Sequence, residues 1–274
     1  MSPAAAFAPT ELRRGALACL EIAEPEAKLA AVQALAHAAR YRKAPLPIDP
    51  AVRLEPARAL PGRPAKPELV PVRSLAQRSV HTRPGRAALL HAIAHIEFNA
   101  INLALDAIWR FAGMPPAYYK GWLLVADEEA QHFALLVEHL RTLGHRYGDF
   151  PAHDGLWSMV ERTAGDVLAR MALVPRTLEA RGLDATPPLQ AKLREAGDER
   201  AAEILGVILR DEVGHVSIGN HWYRWLCKRA KLDPVATYAE LAERHDAPKP
   251  RPPLNLDARA AAGFTAAELD ALKR

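Results

Sequence analysis

The chain has 274 residues, half of them apolar and a quarter charged, with a net charge of +4 and a pI near 9.1. That supports one large domain, or a domain with an appendage, and it argues neither for disorder nor for an obligate nucleic-acid partner. Two isolated cysteines, Cys19 and Cys227, exclude a thiolate metal site and fit a reducing compartment better than a disulfide framework.

The first residues have no basic segment followed by an apolar one, and no apolar run approaches the roughly 20 residues that span a bilayer. The expected location is the cytoplasm, with no membrane partner. Residues 10–40 read as a helical pair. Thr10 is placed to cap a helix over 11–21, and Pro25 suits the start of a second over 26–40. Between residues 44 and 85 proline recurs from Pro45 to Pro84 and no helical period survives, so extended chain is expected. Val70, Val72 and Leu75 would let that stretch lie on the protein as a strap.

A helix is expected over 86–111, broken by Gly113, Pro115 and Pro116. A second runs over 117–143 and stops at Gly144. The third begins near Leu156, is interrupted after Gly182 by Pro187 and Pro188, and resumes near Leu189. The chain then turns at Gly197, and Asp198 caps a fourth helix reaching about residue 230. The tail carries a helix over 234–244, a proline-rich stretch over 248–253 and a last helix over 265–273. Thr265 and Glu268 have capping-box spacing there.

The second helix is about 40 Å long at 1.5 Å per residue. The eleven residues 145–155, extended, reach a similar roughly 36–40 Å. A connection of that reach can cross a whole bundle. The expected fold is therefore all-α: a ferritin-like four-helix bundle with a long crossover over 86–231. Residues 1–85 supply N-terminal helices and a strap, and 232–274 a tail.

Two segments carry Glu-x-x-His: Glu129 with His132, and Glu212 with His215. At this spacing a carboxylate and an imidazole share a helix face and can bind one metal ion. Each glutamate lies in an apolar stripe: Trp122, Val125, Ala126, Phe133 and Leu136 around Glu129, and Leu205, Ile208, Leu209 and Val216 around Glu212. Glu97 sits similarly among Leu90, Ile93, Ala94, Ile101 and Ala104. A buried carboxylate needs a proton, a cation or a metal. Glu179 completes the set, although Arg176 and Arg181 offer it an ordinary salt bridge.

Spacing supports the grouping. Glu97 and Glu129 are 32 residues apart (129 − 97), and Glu179 and Glu212 are 33 apart (212 − 179). In each antiparallel hairpin a lone glutamate then lies level with a Glu-x-x-His. Four carboxylates and two imidazoles balance two divalent ions, the ligand set of di-metal carboxylate bundles. Iron is the first expectation, and manganese or zinc suit the same donors. Glu128 and Asp211, each four residues before a histidine, are expected either to orient the imidazoles or to be solvated acids. His91 and His95 are expected at the surface or behind the ligands, because they lie 120° or more from Glu97 on the helical wheel.

The runs HAIAHIEFNAINLALDAIWRFAGMP, VADEEAQHFALL, YGDFPAHDGLW, RMALVPRTLEARGLD and RDEVGHVSIGNHWY resemble a bacterial ferritin-like family, a domain of unknown function within the di-iron carboxylate superfamily. The resemblance covers nearly the whole chain. It places the family's six ligand positions on Glu97, Glu129, His132, Glu179, Glu212 and His215, and implies the ferritin-like fold. The superfamily includes rubrerythrins, bacterioferritins, monooxygenases and a tRNA hydroxylase. The cysteine count disfavours a rubrerythrin. The expected function is metal-dependent oxidation, activating O2 or peroxide toward a small-molecule substrate in a monomer or dimer. The alternatives are tRNA modification by the same chemistry, or metal binding and storage without catalysis.

Overall fold

The computed structural model describes residues 10–41, 46–76 and 78–272. The first nine residues, Pro45 and the last residue of the expected tail helix, Lys273, lie outside them. Among the described residues the regular structure is helical, apart from an isolated parallel bridge between Leu69 and Ala152. The all-α expectation holds. The chain divides into two compact units, one of residues 1–79 and 83–154, the other of residues 80–82 and 155–274.

The first unit holds α1 (Leu12–Glu21), α2 (Pro25–Tyr41), α3 (Arg83–Arg110) and α4 (Pro116–Thr142). Glu11, rather than Thr10, caps α1, because its longer carboxylate reaches the Arg13 and Arg14 N–H groups at 3.0 and 2.8 Å. Pro25 opens α2 as expected. Helices α3 and α4 form the hairpin that the Gly113 break predicts. The Tyr119 hydroxyl secures it, donating to the Phe111 carbonyl at 2.9 Å and accepting from the Met114 N–H at 3.1 Å. One stretch of α3 is long and apolar enough to cross a membrane, but it is 78% buried inside the protein.

Residues 46–76 are largely extended, with a single 3-10 turn at Val72–Ser74. Of the residues expected to hold this stretch down, Val70 and Leu75 are half-buried and the Val70 N–H donates to the Ala152 carbonyl at 2.8 Å, but Val72 is 63% exposed; Leu46, Leu54, Pro61, Gly62 and Pro67 are buried as well. Gly62 donates its N–H to the Leu20 carbonyl at 2.8 Å. It crosses the end of α1 so closely that a β-carbon there would lie 2.4 Å from the Glu21 carbonyl oxygen. Only glycine permits that approach.

Two buried basic side chains join these parts. Lys28 of α2 donates to the Leu20 and Gly62 carbonyls at 3.3 and 3.2 Å and to the Asn102 side-chain oxygen on α3. Arg13 is 1% exposed and donates to four carbonyls: Ile108 (3.3 Å) and Trp109 (2.6 Å) in the last turn of α3, and Asp49 (2.8 Å) and Val52 (2.7 Å) in the extended stretch. A cation at a helix C-terminus satisfies carbonyls that have no partner within the helix and meets the negative end of the dipole.

The loop after α4 returns along α3. Gly148 donates its N–H to His91 Nε2 at 2.9 Å, and the Tyr147 hydroxyl and His95 Nδ1 share a 2.8 Å hydrogen bond. Further on, the His153 carbonyl lies 3.2 Å from His95 Nε2, and Ala152 pairs with Glu68 and Val70 of the extended stretch. His91 is fully buried and His95 nearly so. The surface expectation for them is corrected: they anchor this loop. Burial pushes both down to about 4, so they are neutral at pH 7.

The second unit holds α5 (Gly155–Arg162), α6 (Val167–Leu173), a π-helical turn (Val174–Glu179), α7 (Ala180–Glu195), α8 (Glu199–Ala230), α9 (Pro234–Arg244), α10 (Leu256–Ala261) and α11 (Ala266–Leu272). The expected third helix begins where predicted but breaks after Arg162 and restarts at Asp166, whose carboxylate caps α6 at 2.8 and 3.1 Å. The break expected after Gly182 does not occur: α7 runs continuously through Pro187 and Pro188. Pro187 has no N–H for the Leu183 carbonyl, and the Asn255 side-chain amide supplies one instead at 3.1 Å. Asn255 also caps α10, a helix the proline-rich tail did not suggest. The turn at Gly197 (φ +76°) and the Asp198 cap of α8 are as expected. So is the capping box of α11: Thr265 N–H donates to Glu268 at 2.8 Å, and Glu268 N–H donates to the Thr265 hydroxyl at 3.3 Å.

Arg13→Met should lower unfolding stability by about 3 kcal/mol, because it leaves buried carbonyls unpaired. Arg13→Lys should recover only part of it, since one ammonium cannot replace the guanidinium fork. Urea unfolding of the three proteins measures both; a methionine variant as stable as wild type would contradict the assignment.

Candidate metal centre

In the first unit α3 contributes Glu97, and α4 contributes Glu129 and His132. They are 3%, 0% and 1% exposed. Each offers a donor atom, and these atoms lie within 4.8 Å of one another. His132 Nδ1 is 3.2 Å from Glu97 Oε2 and 3.2 Å from Glu129 Oε2. The hairpin places them so, because 97 and 129 are equidistant from the turn at Gly113. Apolar neighbours on the same faces, Leu90, Ala94, Ile101, Trp122, Val125 and Ala126, are buried with them.

The electrostatics follow from two carboxylates held together out of water. Burial and the neighbouring Glu129 push Glu97 up to about 8. Burial alone would lower His132, but hydrogen bonds and charge from Glu129 and Glu97 outweigh it and push it up to about 11. The site thus attracts positive charge. Two carboxylate oxygens and an imidazole nitrogen, converging in a dry interior, suit a divalent iron, manganese or zinc ion. The donor set fits.

In the second unit Glu179, Glu212 and His215 are also buried, at 8%, 8% and 0% exposed. Glu212 Oε2 and His215 Nδ1 are 3.9 Å apart. Glu179 ends the π-helical turn. Such turns shift the phase of side chains along a helix and occur often at functional sites. Here Pro175 lacks the N–H of a regular helix, and the Thr177 hydroxyl bonds the Ala172 carbonyl five residues back at 2.9 Å. Pro175 packs on Gly219 of α8 so tightly that a β-carbon at 219 would lie 2.3 Å from the proline ring.

The competing salt bridge for Glu179 does not form with Arg176. That guanidinium donates to Glu268 of α11 at 2.9 Å and to Asn220 at 2.8 Å, and stacks 4.3 Å from the Tyr223 ring. Arg181 is exposed. The tail thus engages Arg176 and clamps the π-turn that carries Glu179. Burial alone would raise Glu268, but Arg176 and the hydrogen bonds from Thr265 hold its carboxyl below the usual range.

Asp211 accepts two hydrogen bonds from Arg210, at 2.9 and 3.2 Å, and Glu128 is half-buried. Sequence reasoning passed over Asp127, which is buried and ion-paired to Arg40 at 3.2 Å, and the buried stripe of His91, His95, Asn99 and Asn102. That stripe was readable: polar residues at helical spacing on an apolar helix mark a second buried face.

The model of the family described as "Protein of unknown function (DUF455)" matches residues 21–270. An "Uncharacterized protein" of Haemophilus influenzae (strain ATCC 51907 / DSM 11121 / KW20 / Rd) is 55% identical over 214 residues, covering 76% of this chain and 74% of its own. No solved structure matches.

Two outcomes test the clamp in the second unit. Glu268 has a lowered folded value, so its contribution is complete above the unfolded value of about 4.3. It is lost as pH falls through the folded value, and Glu268→Gln should flatten that acid-side loss in thermal melts from pH 3 to 7. Gly219→Ala should cost roughly 1–3 kcal/mol through overpacking against Pro175, measured by urea unfolding, whereas Gly214→Ala, with open space around it, should not.

Proposed function

The chain belongs to this family, and we propose that it is a ferritin-like di-metal carboxylate protein. On this reading Glu97, Glu129, His132, Glu179, Glu212 and His215 hold two ions, iron in the first place. The observation that carries it is the buried Glu97–Glu129–His132 group, whose carboxylate oxygens and imidazole nitrogen converge out of water, where a divalent cation would replace the protons they hold. The second Glu-x-x-His, buried beside Pro175 and Gly219 on α8, supports a second ion. Bound iron would supply the electrons that reduce O2 or peroxide, and the oxidising power would be spent on a small-molecule substrate. Manganese or zinc suit the same donors, and a purely binding role is the alternative they favour.

The protein's own residues then have defined parts. Glu97 and Glu129 supply anionic oxygens. His132 supplies a neutral nitrogen, so it must release its proton when an ion binds. Phe98, Phe133 and Trp122 keep water from the ligands. The π-turn sets the phase of Glu179, and Arg176 bonds Glu268. A cytoplasmic monomer or dimer completes the proposal.

Protein loaded anaerobically with Fe(II) should carry about two ions per chain. His132→Ala and His215→Ala should each lower that count, and His139→Ala should not. Exposure of the loaded protein to O2 should consume O2 and change the near-ultraviolet spectrum. A wild-type chain that takes up no metal overturns the proposal. One that takes two ions but ignores O2, or prefers zinc in competition, retains the metal centre and overturns the oxidative role.

A further inference from the structure

One i, i+4 ridge of α4 runs from Glu129 through Phe133 and Val137 to Arg141, winding about 120° round the helix. The last three line a cavity of about 900 Å³ in the first unit. Its inner end is aromatic: Phe133 lies edge-on to Tyr147, with ring centroids 4.9 Å apart and planes at 86°. Phe133 follows His132 in sequence and stands one helical turn from Glu129. The cavity's exposed lining carries Lys66, Arg141 and Arg146 together with Glu24 and Glu26. Arg141 is held by Glu26 at 3.0 Å, and Lys66 and Arg146 are exposed cations.

We propose that this cavity admits the substrate, and that the substrate is a small organic anion. Its phosphate or carboxylate would meet Lys66 and Arg146, and a flat apolar body would reach inward against Phe133 and Tyr147. Three observations combine. The volume lies within the range of small-molecule sites. The charge sits on the exposed lining and the aromatic surface at the inner end, so a ligand with one anionic end has one orientation. That orientation brings its apolar end to Phe133, which follows His132 in sequence and stands one helical turn from Glu129. Tyr147 is held in place by His95 and by stacking on His91 at 5.3 Å, so the wall is formed before any ligand arrives. This substrate class rests on the di-metal reading for its chemistry, whereas the binding itself does not need the metal.

The test is therefore calorimetric titration of metal-free protein with phenyl phosphate, benzoate and inorganic phosphate. Phenyl phosphate or benzoate should bind more tightly than inorganic phosphate, and whichever is preferred names the anionic group. Joint Lys66→Ala and Arg146→Ala substitution should weaken that binding by roughly tenfold or more. Val137→Trp, at a half-buried position, should fill the cavity and abolish binding while leaving metal content at the wild-type value. Phe133→Leu should narrow the advantage of the aromatic probe over inorganic phosphate. Absence of binding overturns the proposal, as does binding indifferent to Val137→Trp, or binding only to transfer RNA. Metal counts on the same proteins report separately on the di-metal reading, which fails on loss of metal whatever the probes do.

Discussion

Carboxylates in an apolar helical interior must be compensated, and much of the first unit follows from meeting that need at Glu97 and Glu129. Each sits in a stripe of Leu, Ile, Ala or Trp that the hydrophobic effect drives inward, so neither can reach water without unpacking its helix. The α3–α4 turn at Gly113 brings the two level, and His132 lies between them at 3.2 Å from each. Ionisable groups gathered in a core cost stability, and proteins offset that cost elsewhere. Here the surroundings meet that cost with close packing and with polar groups satisfied elsewhere. Arg13 and Lys28 are buried basic residues, yet both spend their hydrogen bonds on carbonyl and amide oxygens, and neither is among the partners that shift Glu97 or His132.

The second unit reaches a comparable end by irregular means. Glu179 lies at the end of a π-turn that Pro175 and the Thr177 hydroxyl make locally stable, and Gly219 makes room for it. A regular helix through residues 174–179 would rotate Glu179 relative to α8 by part of a turn. The tail fixes the geometry from outside. Glu268 takes Arg176, Tyr238 shares a hydrogen bond with Thr177 at 2.9 Å, and Phe264 stacks on the Arg176 guanidinium at 4.9 Å. Deep burial of that ion pair is tolerable because each partner has further hydrogen bonds, to Asn220 and to Thr265.

Neutral histidines do the joining in the first unit. His91 and His95 use their ring nitrogens to hold a loop with few internal bonds of its own, and Tyr147 brings its ring against Phe98 and Phe133. The two helical faces of α3 thus have separate tasks. One carries Glu97 toward α4. The other carries a polar stripe beneath the returning loop and the proline-rich chain.

The helices, most of their caps and the buried Glu/His candidates were legible in the sequence, because they depend on local periodicity and on residue types with few roles. Glu-x-x-His at i and i+3, the Gly113 and Gly197 turns and the Thr265–Glu268 box are of this kind. What sequence could not decide depends on groups far apart in the chain. Pro187 and Pro188 signal a broken helix unless Asn255, some seventy residues on, replaces the missing donor. Arg176 is a plausible partner for Glu179 until Glu268, 92 residues away, claims it. His91 and His95 look peripheral by helical angle until the loop at 147–153 covers them. A proline's missing hydrogen bond and an arginine's choice of carboxylate are settled by whichever distant atom lies within about 3 Å, and only the tertiary structure brings that atom there.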